Sequence, residues 1–541
     1  MHRPRTSPPL PAKLAVRAFS LALLLFSALV GCRCRPAPAA RPEPLPALRI
    51  ALLSTAAGAV EPCGCVKDML GGVDHAGAYL RKAGDAPLLV LGAGPMLFMD
   101  PSSKPDRVQQ DRWKAEAMSS SLRELGLRAW APGLNDFALG AAELQRITQG
   151  GPALLAANLS GANAGAQRTA MFTVGGVRVG VVGISRPAHG DKKVEGVIVA
   201  DPRQELEKAA KELEGQGASL RIALIALPRG EALRLIEAVP SFQLAVLGKA
   251  SDQGEANDTP VPPTEVGKTL VVEGPNHLQA LYVVDWFVKD KRFEFVNGDR
   301  SGEAKAELDR RIAELEERIR AAEKSASVSK ADLEARRKDL AAVRTERSAL
   351  DQKSAPPEQS YYRAKLVEVR ENLGTDPNVK LRLDEYYKRV NEHNRVEFKD
   401  KRPPPVPEGS SGFSGLKECA SCHQEEHAFW STTRHAGAYE TLAKQNKQFN
   451  LDCVGCHVTG YDEPGGSTVT FVDELKNVQC ETCHGPGSRH AANPSDKSLI
   501  VGTPSPTLCA PKCHHPPHVK PDWNVGEAWM KILGKGHGRG L

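Results

Sequence analysis

Aromatic residues are scarce in this chain, at 5% of 541 positions, and cysteine is absent between Cys65 and Cys419 although twelve occur in all. That gap excludes a disulfide framework spread along the chain and demands a local reason for the eight cysteines after residue 418. Charge of one sign is not in excess either: 71 basic against 65 acidic residues leave +6, which argues neither for nor against a nucleic-acid partner. The chain is too long for a single core, so several domains are expected. Its 48 glycines and 40 prolines supply ample punctuation between them.

The N-terminus carries Arg3, Arg5, Lys13 and Arg17 ahead of an apolar run from Ala18 to Val30. That run is shorter than the roughly 20 residues a spanning helix needs, so a secretory signal fits better than a permanent anchor. It ends in Leu29-Val30-Gly31-Cys32, which resembles a bacterial lipobox. The resemblance implies cleavage after residue 31 and a lipid on Cys32. Arg33, where an aspartate would retain the protein at the inner membrane, implies sorting to the outer membrane. RPAPAARPEPLP then reads as an extended tether over 32–46. The expected location is periplasmic, outside the cytoplasm, with the lipid as membrane anchor.

From residue 47 to 300 short apolar runs (RIALLS, PLLVLGAG, PALLAANL, RVGVVGIS, RIALIAL, QLAVLG, KTLVVEG) alternate with amphipathic segments such as QDRWKAEAMSSSLRELG and DPRQELEKAAKELEGQG. This alternation predicts an α/β domain with buried strands. Its landmarks, LLVLGAG, GLNDF, VGGVRVGVVGIS, IALIALP and AVLGKAS, resemble in order the metallophosphoesterase domain of the 5′-nucleotidase family. The resemblance implies a sandwich of that kind, but the metal ligands are lost. Ala93 replaces the Gly-Asp aspartate, Leu134 and Asn135 the next Asn-His pair, and Ala226, Lys249 and Ser251 the later histidines. No aspartate or histidine lies between Leu48 and Val66 to supply the first ligands. A dinuclear site needs oxygen and imidazole donors, so hydrolysis is not expected. Asp136 is the leftover carboxylate, read as structural. Cys63 and Cys65 stand where the first ligands belong, as a redox or metal-binding pair, a local disulfide, or a bridge from either to Cys34.

Residues 301–400 read as a helical, coiled-coil spacer. Leu308, Ile312, Leu315 and Ile319, then Leu333, Leu340 and Leu350, recur at helical steps, and SASVS between them predicts an antiparallel hairpin. YYRAKLVEVRENL and VKLRLDEYYKRVNEHN are expected to continue as amphipathic helix. KRPPPVPEGSSG opens a linker over 401–416.

Every cysteine pair beyond it is followed at once by histidine: CASCH at 419–423, CVGCH at 453–457, CETCH at 480–484 and CAPKCH at 509–514. In c-type attachment two cysteine sulfurs add to the haem vinyl groups and the next histidine binds the iron. This assigns four haems c to Cys419/Cys422, Cys453/Cys456, Cys480/Cys483 and Cys509/Cys513, with His423, His457, His484 and His514 as proximal ligands. The fourth motif has one extra residue between its cysteines. A zinc ribbon does not require a histidine after each pair, and a thioredoxin-like dithiol needs one pair, not four. Ten histidines follow residue 416, so six remain for the opposite faces. His435 and His490 are the best distal candidates and His518 and His537 the next; a solvated loop histidine is the alternative at each.

The run KECASCHQEEHAFWSTTRHAGAYETL…DCVGCH…CETCHGPGSRH resembles the tetrahaem cytochromes of the c-554 (c-552/4) type over residues 417–541. In that family the histidine of His-Ala-x-Ala is a distal ligand, which implies that role for His435, and a mostly coil and short-helix structure packed on haem. The expected function is electron transfer between a periplasmic or membrane-bound donor and acceptor, without nucleic acid. The alternatives are an oxidoreductase acting on a small nitrogen or sulfur compound at a five-coordinate haem and a 5′-nucleotidase-like metallohydrolase.

Overall fold

The apolar runs fold as strands of two packed sheets. In the first, Leu48–Ser54 pairs in parallel with Leu88–Ala93, followed outward by Leu127–Ala131 and Ala153–Leu154. On its other side it meets Ala280–Phe287 antiparallel. The second sheet has four parallel inner strands, Val177–Ser185, Leu220–Ala226, Leu244–Gly248 and Thr269–Glu273, flanked by antiparallel Thr169–Val174 and Val261–Val266. The computed structural model describes residues 45–62, 69–290, 293–298, 300–323, 330–352, 359–515, 518–519 and 523–534; Cys32, Cys63, Cys65 and His537 lie outside them.

Alternation along each strand builds the layers. Ile50 and Leu52 face the second sheet and pack with Val181, Ile222, Leu224 and Val246. Ala51 and Leu53 face the other way, with Val73, Met118, Leu122 and Val390 of the helices Val73–Arg81, Val108–Glu124 and Pro377–Glu397. Ala223 and Ile225 turn to Leu206, Leu213 and Ile236 of Pro202–Gly215 and Arg229–Ala238. Each fully buried Leu or Ile contributes roughly 1.5–3 kcal/mol. Asp201 caps its helix, its carboxylate accepting from the Gln204 amide at 2.8 Å. Among the described residues no helix is long and apolar enough to cross a membrane.

The expected boundary at residue 300 and the helix expected over YYRAKLVE are corrected. Tyr361–Glu368 is a strand, antiparallel to Ala280–Phe287. Tyr361 is 1% exposed and stacks on Phe287 at 4.4 Å, and Tyr362 packs on Trp286. The sheet edge overrides the local pattern because aromatic cross-strand pairs stabilise a strand there. Pro377–Glu397 then covers the outer face of the first sheet. The helices Arg300–Glu323 and Lys330–Gln352 therefore form an excursion from the sheet unit. They run antiparallel, joined by Arg347–Asp309, Arg344–Glu316 and Arg337–Glu323 ion pairs.

Beyond Phe398 the chain consists of loops and short helices, and its described apolar cluster is small: Tyr439, Val454, Val458 and Val472, with Tyr461 against them, while Leu442, Val469, Leu475 and Val519 are buried outside it. The lack of apolar bulk means that the protein part alone supplies little to hold this region together.

Candidate functional site

At the C-terminal strand ends, where open α/β sheets place ligands, the residues are not metal ligands. Ala93 and Ala226 are fully buried. A Cβ on Gly248 would meet the Ala93 carbonyl oxygen at 2.1 Å, so the two sheets touch through backbone here. Lys249 Nζ lies 2.8 Å from both Asp252 Oδ1 and Asp258 Oδ2, a cation belonging to the chain itself. Asp252 also meets His277 Nε2 at 3.1 Å. Asn135 donates to the Phe98, Met99 and Asp252 carbonyls and accepts from the Asp252 amide. Asp136 accepts from the Met96, Leu97 and Gly133 amides at 2.8, 2.9 and 3.0 Å. Burial pushes its carboxyl up to about 6 against the pull of those amides. Every oxygen contact of Asp136 is spent on holding loops, the structural role expected of it.

The four cysteine–histidine motifs all sit on single turns. Cys419 and Cys422 lie in the helix Leu416–Cys422, and the His423 amide donates to Cys419 O at 2.9 Å. Cys456 lies in the turn Val454–Cys456, ahead of His457, and CETCH forms the helix Cys480–His484. In the fourth motif Cys509–Lys512 is helical and the His514 amide donates to Cys509 O at 2.9 Å. The extra residue is absorbed by one wider turn, five residues instead of four, so histidine still closes on the first cysteine. None of the eight cysteines is in a disulfide. The Cys419 side chain neighbours Cys480 and the Cys456 side chain neighbours Cys513, so motifs one and three meet, as do two and four.

His457 Nδ1 lies 2.6 Å from the Ala438 carbonyl and His484 Nδ1 2.7 Å from that of Val501. Donation from Nδ1 fixes the tautomer with its lone pair on Nε2, the arrangement that metal-bound histidines use. His423 is more exposed, with Nδ1 3.9 Å from Glu426. His514 stacks on Trp523 at 5.2 Å, and its ring centre is 6.2 Å from that of His435. Burial, then His514, lowers the His435 pKa, which favours the neutral, ligating imidazole. His490, on the helix Ser488–Ala492, has Nδ1 3.5 Å from Asp496 O. His518 Nε2 is 2.5 Å from Glu255 Oε2 of the sheet unit. The thiol pairs, the pinned imidazoles and the missing apolar core fit haem c.

Three carboxylates escaped the reading of the sequence. Glu481, inside CETCH and 2% exposed, accepts from the Ser414, Gly415 and Gly487 amides, pinning the approach to the first motif against the third. Asp452, next to Cys453, pairs with Arg107 and, at 3.0 Å, with Lys114. Those two cations overcome burial and hold its carboxyl far below the usual range. Gln110 and Asn394 complete this seat through Asn450, the Leu451 amide and the Phe449 carbonyl. Lys447 reaches Glu61 at 2.6 Å. Helices of the sheet unit thus hold the segment that leads into the second motif. Glu255 is the third, 263 residues from its partner His518. Glu481 and Asp452 each stand beside a motif cysteine in the sequence, but nothing in one dimension marks their partners.

Residues 418–485 match the family model described as cytochrome c554 and c-prime. Cytochrome c-554 of Nitrosomonas europaea is 41% identical over 91 residues, covering 14% of this chain and 39% of that protein. Among solved structures, a 5′-nucleotidase precursor from Thermus thermophilus aligns with TM-score 0.43 and 17% identity, over 69% of this chain and 62% of that one. A sulfate thiohydrolase SoxB from the same organism, in complex with glycerol, aligns with TM-score 0.44 and 15% identity, over 65% and 62%. The segment that resembles cytochrome c554, residues 418–485, carries the first three cysteine–histidine motifs.

Proposed function

We propose that the chain is an exported lipoprotein, anchored by Cys32 in the outer membrane, that carries four haems c and passes electrons between a periplasmic donor and acceptor. The observation that carries this reading is the pinning of His457 and His484 through Nδ1 to backbone carbonyls, each directly after a cysteine pair. Cys419/Cys422, Cys453/Cys456, Cys480/Cys483 and Cys509/Cys513 would hold the four groups, with His423, His457, His484 and His514 on their irons. Bound there, haem c supplies reversible one-electron chemistry. The chain's part is to hold the imidazoles neutral and oriented. His435, whose ring centre lies 6.2 Å from that of His514, would share with it the group at Cys509 and Cys513. His490 serves a second site.

The sheet unit acts as a platform and not as a hydrolase. Alanine at 93 and 226 offers no donor, and the Lys249 ammonium occupies the carboxylates nearby. Redox titration of the exported protein, followed optically, tests the reading. A reversible low-spin c-type spectrum without turnover is expected. High-spin iron that turns over nitrite, hydroxylamine or thiosulfate would replace the carrier with an oxidoreductase.

A further inference from the structure

Glu255, His515 and His518 form a cluster that adjoins the fourth motif but includes none of its cysteines. Glu255 lies in the loop after Leu244–Gly248, at the C-terminal edge of the second sheet; both histidines follow the helix Cys509–Lys512. Their ligand atoms all lie within 4.8 Å of one another. His518 is 8% exposed, with Nε2 2.5 Å from Glu255 Oε2. The two imidazole rings are 4.8 Å apart and nearly perpendicular, at 85°, so they approach the carboxylate from different directions instead of stacking.

We propose that these three side chains bind one divalent transition-metal ion of the Zn2+ class, clipping the tail of the chain to the sheet unit. Two imidazoles and one carboxylate are a borderline donor set that suits zinc. Mg2+ and Ca2+ demand oxygen ligands, of which the trio has one residue's worth. Three protein ligands leave a fourth position for water. A clip between residues 263 apart in sequence closes a long loop, where a cross-link restricts the unfolded chain most. The site rests on the proposed haem reading in one respect: His514, which faces His435 and Trp523, is the iron ligand of the fourth motif, and its neighbour His515 is not.

The test uses the haem-loaded full chain, stripped of loose metal with a chelator and titrated with Zn2+ by calorimetry, with metal content measured in parallel. One Zn2+ per chain is expected. Glu255→Gln, which keeps the side-chain volume and an oxygen facing His518, should weaken binding at least about tenfold, since even supporting residues of metal sites cost that much. His515→Asn should do the same. Haem content and optical spectrum should not change in either variant. Absence of stoichiometric zinc, or zinc binding indifferent to Glu255→Gln, overturns the site. So does a His518→Ala variant in which a low-spin haem becomes high-spin, because His518 then serves an iron. Four haems without zinc sink the clip alone, whereas loss of haem from the parent chain sinks the cytochrome reading.

Discussion

Asp136 shows how a buried carboxylate can serve a fold by tying loops together. It is buried, gathers three backbone amides and has its carboxyl pushed up to about 6. A carboxyl whose folded pKa lies above its unfolded value near 3.8 stabilises the fold most at low pH. That contribution falls as pH rises through the window from about 4 to 6. Thermal unfolding should therefore show Asp136 costing on the order of 2–3 kcal/mol across that window. Asp136→Asn should flatten this part of the profile while losing the hydrogen bond from the Gly133 amide, for about 1–3 kcal/mol. Asp452 behaves in the opposite sense, since Arg107 and Lys114 hold it ionised. Asp452→Asn leaves Lys114 without its carboxylate and Arg107 with Asp111 alone. It should lower stability by on the order of 2–3 kcal/mol in denaturant titration and loosen the seat of the second motif.

At the scale of elements, the strand Tyr361–Glu368 decides where the sheet unit ends. Tyr361→Ala removes a ring that is 1% exposed and stacked on Phe287, and should cost about 3–5 kcal/mol in denaturant unfolding. The runs RIALLS, RVGVVGIS and RIALIAL were legible as strands because their apolar residues face two buried layers. The Asp201 cap is a local event, written in the Asp-Pro that heads its segment. Tyr361–Glu368 was not legible as a strand, because its partner strand ends at Phe287 and the helical hairpin intervenes before Tyr361. The cysteine–histidine motifs were legible for the reason that caps are: attachment chemistry needs residues a few positions apart. Glu481 and Asp452 act across folded distance, from Ser414 to Gly487 and from Arg107 to Cys453, and no spacing announces that.

For the whole molecule, the two regions differ in what holds them together. Layers of Leu, Ile and Val close the sheets, whereas the described tail has few buried apolar residues and eight cysteines outside any disulfide. The sheet unit lends the tail a polar seat through Gln110, Lys114, Asn394 and Glu61. The remaining cohesion belongs to what the cysteines hold. The most direct test is intact mass combined with a pyridine haemochrome assay on protein exported from cells that mature c-type cytochromes. The account predicts the polypeptide plus four haem masses, the group at Cys509 and Cys513 included. A colourless protein at the mass of the polypeptide alone, its eight thiols free or bound to zinc, would contradict it.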